Sequence, residues 1–191
     1  MIAKGLDFPN VSFVGVVSAD TMLAVPDFRA AERTFQLLTQ VAGRAGRAET
    51  QGHTVIQTYR PDHYAIRAAA RHDFTGFYQQ ERELREAFQY PPFCELLVFT
   101  AVHEQKNLAQ GAARRFEREL RRNLQDSTAT VLGAAPATVL RVEDRYRFQV
   151  VVKYLEWDAV KNYVTTAYAL VNTKMGSLGG HCILNVNALR V

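Results

Sequence analysis

The alternation of apolar and polar residues predicts a β-α-β unit in the first part of the chain. Residues 11–17 (VSFVGVV) form a short, β-branched apolar run, which indicates a strand buried on both faces of a parallel sheet. Residues 27–46 have helical spacing, and residues 53–59 (HTVIQTY) indicate the next strand. An amphipathic helix follows at 74–88, and YPPF at 90–93 ends it because proline cannot continue a helix.

A different order of elements is predicted after residue 92. Apolar runs and helical spacings indicate the order β-α-β-β-α-β, over residues 94–102, 107–125, 128–134, 146–154, 156–173 and 181–189. Two right-handed crossovers around a hairpin place both helices on one face of an antiparallel sheet, a ferredoxin-like or S10-like arrangement. We therefore predict an α/β chain with a parallel lobe at 1–72, a linker helix at 73–92 and an α+β domain at 93–191.

Composition and charge narrow the class of protein. No run reaches the roughly 18 apolar residues that a membrane span needs, and the two cysteines have no CxxC spacing. We predict a cytoplasmic globular protein without a membrane segment or a metal site. Residues 1–90 carry ten Lys and Arg against ten Asp and Glu, whereas residues 91–191 carry thirteen against nine. The net charge of +4 therefore lies in the second half, which is typical either of a polyanion-binding domain or of a solvated basic surface.

One motif indicates nucleotide chemistry. QVAGRAGR contains Gln40, Gly43, Arg44, Gly46 and Arg47 in the pattern QxxGRxGR, which resembles motif VI of superfamily 2 helicases. Guanidinium groups near a helix end stabilise the charge that develops on a transferring γ-phosphoryl group. The same residues are also typical of a helix that ends at a glycine cap, with arginines beside the negative end of its dipole. This motif alone leaves both interpretations open.

Further strings extend the resemblance over essentially the whole chain. AKGLDFPNV at 3–11, LREAFQYPPF at 84–93 and DRYRFQVVVKY at 144–154 resemble the PriA family of replication-restart helicases, also called primosomal protein N′. The resemblance implies that residues 1–72 end a RecA-like helicase lobe 2 with motifs V and VI. Because no GxxxxGK[ST] occurs and Met1 falls inside motif V, we expect a C-terminal portion of a longer helicase that is inactive alone.

The resemblance also implies roles for single residues. Arg44 and Arg47 are expected to act as arginine fingers on ATP, with Gln40 orienting the phosphate or its water. The other expected contacts are Gly5, Asp7 and Gly43 with the nucleotide and Lys4 with a DNA phosphate. Without the family, Lys4 is an ordinary solvated residue and Asp7 a turn former. The full-length protein is expected to use ATP and Mg²⁺, with zinc only upstream of this segment, and the segment alone no cofactor.

Two surfaces of the second half are candidates for DNA contact. The helix at 107–125 places its apolar residues in one arc at about 100° per residue, so Arg114 and Arg118 point outward. Its alternative is a solvated face of Glu–Arg pairs. The second candidate is the hairpin with Arg145, Tyr146 and Arg147, which combines phosphate contact with base stacking. Alternation also explains it as a two-faced strand with Tyr146 packed inward. We rank the hairpin first, because it has an aromatic and no glutamate on the same turn.

The resemblance implies partners as well. These are forked or single-stranded DNA, single-stranded DNA-binding protein and other primosome proteins, and no membrane. The alternative function is a non-enzymatic module that binds nucleic acid or docks a protein, in which the GRAGR element only caps a helix.

Overall fold

The computed structural model describes residues 11–43, 52–124 and 129–188, and it divides between Ala87 and Phe88 into two compact units. The first unit contains β1 (Phe13–Val16), α1 (Asp20–Leu23), α2 (Ala30–Ala42), β2 (His53–Ile56), α3 (Tyr64–Ala70) and α4 (Phe74–Ala87). β1 and β2 pair in parallel, with Phe13 opposite His53. The β-α-β pattern predicted this arrangement.

Helices α2, α3 and α4 contribute the core of the first unit. Phe35 of α2 is buried with Ile66 of α3 and Phe77 of α4, and the rings of Phe35 and Phe77 stack with centroids 4.2 Å apart. The sequence patterns did not predict α3. It begins after His63, whose Nδ1 accepts a hydrogen bond from the backbone N–H of Ala65.

The prediction that the first strand is buried on both faces is wrong for the described residues. Side chains alternate along β1, so Val16 packs against the core while Phe13 is 61% exposed. On β2, Ile56 packs inward and Val55 is exposed. The reason is that the described chain packs helices against one face of this two-stranded sheet, so the other face stays open to solvent.

A charged cluster ties α4 to the rest of the first unit. The Arg85 guanidinium lies 2.7 Å from a carboxylate oxygen of Glu81 and 2.8 Å from one of Glu32 on α2. The Tyr64 hydroxyl donates a hydrogen bond to Glu81. Burial, and then this hydrogen bond, raises the pKa of Tyr64, so the phenol keeps its proton. The helix predicted as a linker therefore packs within the first unit, while the predicted domain limits at 72 and 92 stay predictions.

The second unit is an antiparallel sheet with two long helices. It contains β3 (Glu95–His103), α5 (Lys106–Asn123), β4 (Thr130–Val131), β5 (Ala135–Val142), β6 (Arg145–Tyr154), α6 (Trp157–Ser177) and β7 (His181–Val186). The strands lie in the order β4-β6-β3-β7, and β5 also pairs with β6. α5 thus links two strands separated by β6, and α6 links two separated by β3. Buried residues of both helices share a core with the sheet, where the rings of Phe99 and Phe116 stack at 4.0 Å.

One part of the sheet departs from the predicted pattern. The strand predicted at 128–134 is observed only as the short β4, and β5, which was not predicted, follows it. The pairing of β5 with β6 is irregular between Pro136 and Arg141, and most side chains of β5 are exposed. Because proline lacks an N–H and exposed positions need no apolar alternation, this stretch lacks the alternation that would indicate a strand.

The end of α6 is closed by a Schellman motif and is joined to β3 by His103. The N–H of Gly180 donates to the carbonyl of Met175, and Gly179 adopts the left-handed conformation with φ of 82°. His103 Nε2 lies 2.8 Å from the carbonyl oxygen of Leu178. The turn after α6 is therefore held from within the helix and from the neighbouring strand.

Gly180→Ala is expected to lower the free energy of unfolding of the second unit by about 1–3 kcal/mol. A Cβ at this position would lie 2.6 Å from Met175 Cε, 2.7 Å from His103 Cδ2 and 2.8 Å from the Val102 carbonyl oxygen. Urea unfolding followed by the fluorescence of Trp157, the one tryptophan of the chain, measures this change in the unit that contains it.

Gly176→Ala is the matched control for this substitution. Gly176 lies inside α6, and no atom lies within 4 Å of a Cβ built there. Alanine is the better helix former, so this variant should keep its stability or gain up to about 1 kcal/mol. Equal losses of stability in the two variants would show that close packing at Gly180 is not the cause.

Candidate nucleic-acid interface

The outer face of α5 follows from the burial of its inner face. Ala112, Phe116 and Leu120 are buried against the sheet, which directs the positions between them toward solvent. Arginines occupy most of those outer positions, namely Arg114, Arg118, Arg121 and Arg122. The predicted orientation of the helix is therefore observed.

The arginines of this face line a shallow cleft of about 320 Å³, together with Glu117. The Glu117 carboxylate accepts hydrogen bonds from the backbone N–H of Ala134 and from Arg121 Nε, both at 2.9 Å. The bond from Ala134, and then the contacts with Arg121, lower the pKa of Glu117, so this carboxylate stays ionised. The negative charge of Glu117 therefore interacts with the Ala134 N–H and with Arg121.

The other arginines of this face are less engaged with carboxylates. Within the part of the chain that the structure describes, Arg114, Arg118 and Arg122 form no ion pair shorter than 4.0 Å. Among the described residues of this face, Arg121 forms a Glu–Arg pair with Glu117, and Arg114 also lies close enough to help lower the pKa of Glu117. We call the surface of Arg114, Arg118, Arg121 and Arg122 the α5 arginine face.

The β5–β6 hairpin is less available to DNA than the sequence suggested. Arg145 lies 3.3 Å from the carboxylate of Glu104, and the Arg141 guanidinium lies over the ring of Tyr146, 5.3 Å from its centroid. Tyr146 itself packs against the core of the second unit. The ranking of the hairpin rests on its aromatic and on the absence of a glutamate from the same turn, and Glu104 lies outside that turn, just after β3.

The contact of Arg145 with Glu104 could not be predicted from the sequence, because it depends on the position of β3 relative to the hairpin. Antiparallel pairing places His103 opposite Tyr146, and this brings the end of β3 and the following Glu104 beside Arg145. Successive side chains of a strand point to opposite faces of the sheet, so Arg145 and Arg147 of β6 lie on one face and Tyr146 on the other. Contacts of Arg145, Tyr146 and Arg147 with DNA stay predictions. Arg145 pairs with Glu104 and Tyr146 packs against the core, whereas no described ion pair involves Arg147.

The described part of the QxxGRxGR pattern is the end of α2. Gln40 is exposed on the last turns of this helix, and Gly43 follows its last residue with φ of −68°, donating its N–H to the Thr39 carbonyl. Gly43 is not a left-handed glycine cap, and a Cβ there would make only ordinary contacts. Lys4, Gly5, Asp7, Arg44 and Arg47 lie outside the described residues, so their roles stay predictions.

Sequence reasoning missed an anchor at the carboxyl ends of the two parallel strands. The Asp20 carboxylate accepts hydrogen bonds from the Thr58 hydroxyl at 3.1 Å and from the backbone N–H of Tyr59 at 3.0 Å. An aspartate close after a strand was the available signal.

Two further kinds of site were sought in the described residues. No group of three or more His, Cys, Asp or Glu is arranged there to hold a metal ion. None of the described helices has the length and apolar character of a membrane span.

Several known proteins that are similar to this chain have the same name. Residues 86–179 match the family described as primosomal protein N C-terminal domain, PriA_C. Replication restart protein PriA of Bacillus subtilis is 51% identical over 154 residues, 81% of this chain and 19% of its own length. The protein of the same name from Synechocystis is 44% identical over 158 residues, 81% of this chain and 18% of its own. The chain therefore spans about a fifth of the length of these relatives.

Solved structures add little to this picture. A dinuclear metal-binding peptidase of the M20 family from Bacillus subtilis covers 51% of the chain, at 11% identity and a TM-score of 0.31. These values are too low to establish a shared fold, and we draw no functional conclusion from them.

Proposed function

Because the chain belongs to the PriA family of replication restart proteins, we propose that it is the C-terminal part of an ATP-dependent 3′-to-5′ DNA helicase that restarts stalled replication forks and begins primosome assembly. The observation that supports DNA contact is the α5 arginine face. A surface of that charge suits the phosphate backbone of forked or single-stranded DNA, since neutralised phosphates release condensed counterions.

The first unit takes the role of the end of a RecA-like lobe 2 in this proposal. The parallel pairing of β1 with β2 on either side of α2 suits that role. Arg44 and Arg47 act on ATP and Mg²⁺ as arginine fingers in the full-length protein, with Gln40 orienting the phosphate or its water. The other proposed contacts are Gly5, Asp7 and Gly43 with the nucleotide and Lys4 with DNA.

The second unit takes the role of a ferredoxin-like or S10-like domain, which its strand order supports. Single-stranded DNA-binding protein and other primosome proteins are its further proposed partners, in the cytoplasm, and zinc belongs to the region upstream. A non-enzymatic binding module is the second candidate function. It is favoured by one observation, that the α5 arginine face lies entirely within this unit.

Salt-sensitive DNA binding by the 191-residue chain is the direct test. Arg114→Ala with Arg118→Ala should weaken binding to a forked DNA of any sequence. It should also reduce the slope of log affinity against log salt concentration by about 0.9 for each phosphate that is no longer neutralised. Fluorescence anisotropy titrations at several salt concentrations measure both quantities.

Two further pairs of substitutions make this test specific. Arg145→Ala with Arg147→Ala should have a smaller effect, because Glu104 already compensates Arg145. Arg71→Ala with Arg82→Ala removes the same charge from exposed positions of the first unit and should change the affinity least. DNA binding that none of the pairs affects would favour the protein-docking alternative.

The 191-residue chain alone should show no ATP hydrolysis above background, with or without DNA. It contains no GxxxxGK[ST] sequence to hold the β- and γ-phosphates, so arginine fingers have no bound nucleotide to act on. A coupled assay of phosphate release tests this, with a full-length PriA protein as the positive control. Turnover by the purified chain would refute the proposed division of the ATP site.

A further inference from the structure

A groove in the first unit lies along the border between β2 and α3. It has a volume of about 520 Å³, which is within the range of small-molecule sites. Its floor is apolar, because Ile56 of β2 and the buried Ile66 and Ala69 of α3 line it. Ala42 and Gly52 also line it, and residues this small leave the space open. The described part of the first unit therefore has an open groove beside its core.

One wall of this β2–α3 groove is cationic. Arg67 and Arg71 lie four residues apart at the end of α3, both are exposed, and His72 follows them in the same wall. No carboxylate is among the described lining residues. In the described ranges, neither arginine has an ion pair shorter than 4.0 Å. Thr54 of β2 adds a hydroxyl group, so cations and a hydrogen-bonding group border the apolar floor.

His72 occupies a backbone position that favours glycine. α3 ends in a Schellman motif, in which the N–H of Asp73 donates to the Ala68 carbonyl at 2.9 Å and that of His72 to the Ala69 carbonyl at 3.2 Å. His72 is in the left-handed region, with φ of 52°. A side chain makes this conformation less stable than it is for glycine. Fold stability therefore does not explain the imidazole, whereas its place in the wall of the groove does.

The polar groups of this wall suit a phosphate. Guanidinium groups form charge-assisted hydrogen bonds with phosphate oxygens, often in pairs. The dipole of α3 also attracts cations to its end, but it requires neither His72 nor the apolar floor. A continuous DNA strand fits less well, because the exposed Asp62 and Asp73 directly follow the lining residues Pro61 and His72 and repel further phosphates. The groove thus suits one compact phosphate group on an apolar body.

We propose that the β2–α3 groove binds a small phosphorylated molecule, a phosphate monoester or diphosphate with an apolar or aromatic body. The phosphate lies at Arg67, Arg71 and His72, and the body lies on the floor over Ile56 and Ile66. Neither Arg67 nor Arg71 has a part in the proposed helicase chemistry or in the α5 arginine face. The inference therefore adds a ligand site to the first unit and does not require the helicase role.

Phenyl phosphate is the probe, because it joins a phosphate to an apolar ring. Added to the ¹⁵N-labelled 191-residue chain, it should shift the backbone amide signals of residues 66–72, with a dissociation constant of roughly 1–10 mM for so small a ligand. Inorganic phosphate and phenol should each bind roughly fivefold more weakly or less. Equal binding of either would overturn the proposal, because charge alone or the apolar floor alone would then explain it. Absence of shifts at these residues would do the same.

Removal of single charges locates the phosphate. Arg67→Ala and Arg71→Ala should each weaken phenyl phosphate binding by roughly fivefold or more. Arg82→Ala removes the same charge from an exposed position of α4 outside the groove and should leave the affinity nearly unchanged. Circular dichroism checks that each variant is folded. Binding that neither groove variant affects, or that Arg82→Ala weakens equally, would overturn the proposal.

His72→Gly separates a ligand contact from a structural role. Glycine relieves the left-handed conformation, so this variant should raise the urea midpoint of the first unit. It also removes the imidazole from the groove, so phenyl phosphate should bind roughly threefold more weakly or worse. The two effects have opposite directions, as expected of a residue kept for binding. A lower urea midpoint with unchanged phenyl phosphate binding would show that His72 serves the fold, and would overturn its assigned role.

Forked DNA distinguishes a free phosphorylated molecule from a nucleic-acid backbone. Arg71→Ala should leave forked-DNA affinity within about twofold, because the groove holds no DNA phosphate in this proposal. Forked DNA that displaces phenyl phosphate and shifts the amides of residues 66–72 would assign the groove to DNA and overturn the proposal. Failure of the α5 arginine face to bind DNA would refute only the proposed function, since phenyl phosphate binding is measured without DNA.

Discussion

Replacing Arg47 with alanine in a full-length PriA-family protein that carries this sequence is expected to lower DNA-stimulated ATP turnover by roughly a hundredfold or more. The guanidinium would stabilise charge that exists only in the transition state, so nucleotide binding should change little. Arg44→Ala should behave in the same way. Steady-state ATPase assays give kcat, and equilibrium binding of a labelled nucleotide gives the affinity.

The helix-capping alternative predicts a different result for the same variants. Arginines that only balance the helix dipole are worth roughly 0.3–1 kcal/mol of stability, and their removal should leave turnover unchanged. Arg33→Ala is a suitable control, because Arg33 is an arginine of α2 whose partner is Asp27, at 2.8 Å. Reduced melting temperature with normal kcat in the Arg44 and Arg47 variants would refute the arginine-finger role.

Arg85→Ala should lower the free energy of unfolding of the first unit by about 3 kcal/mol. The guanidinium is the cation that faces both Glu81 and Glu32 in the charged cluster. Its removal leaves the mostly buried Glu81 carboxylate without a paired cation, with the Tyr64 hydroxyl as its remaining described hydrogen-bond donor. Urea unfolding followed by circular dichroism reports both units, whereas the fluorescence of Trp157 reports the second alone. The destabilisation should therefore appear only in the transition that Trp157 does not follow.

The same helix supplies the control for this prediction. Arg82 and Glu86 lie 3.9 Å apart on α4, and both side chains are more than half exposed. Solvent screens such a pair, so Arg82→Ala should cost less than about 0.5 kcal/mol. Similar destabilisation by Arg82→Ala and Arg85→Ala would mean that helix propensity, and not the charged cluster, sets the stability of α4.

Periodicity predicted the elements that bury one face against a core. α5 is the clearest case, because buried Phe116 and Leu120 fix the direction of Arg114 and Arg118. Periodicity failed for α3, where four of the seven residues are alanines and alanine occupies both a buried position, Ala65, and an exposed one, Ala70. Pattern reasoning works where the buried and exposed faces of a segment carry different residue types, and fails where both carry the same one.

The local environment of the site was harder to predict, for a physical reason. The pairing of Arg145 with Glu104 depends on strand register, which joins residues far apart in the sequence. A groove between α5 and α6 is a similar case. It is lined by Leu108 of α5 and Val171 of α6, so it forms only when the two helices pack together. The sequence was enough to predict which arginines of α5 point outward. It was not enough to predict which carboxylate, if any, lies beside each arginine.

The central position of β3 has a consequence for synthesis of the chain. β3 pairs on its two sides with β6 and β7, and both strands follow it in the sequence, beyond α5 and α6 respectively. On the ribosome, β3 therefore emerges with both edges unpaired and with Leu97 and Phe99 uncovered. Its second edge is closed only after translation of β7. The sheet of the second unit is therefore completed only when β7, its last described strand, has been translated. Until then, the unpaired edge of β3 and its apolar side chains are surfaces that chaperones can bind.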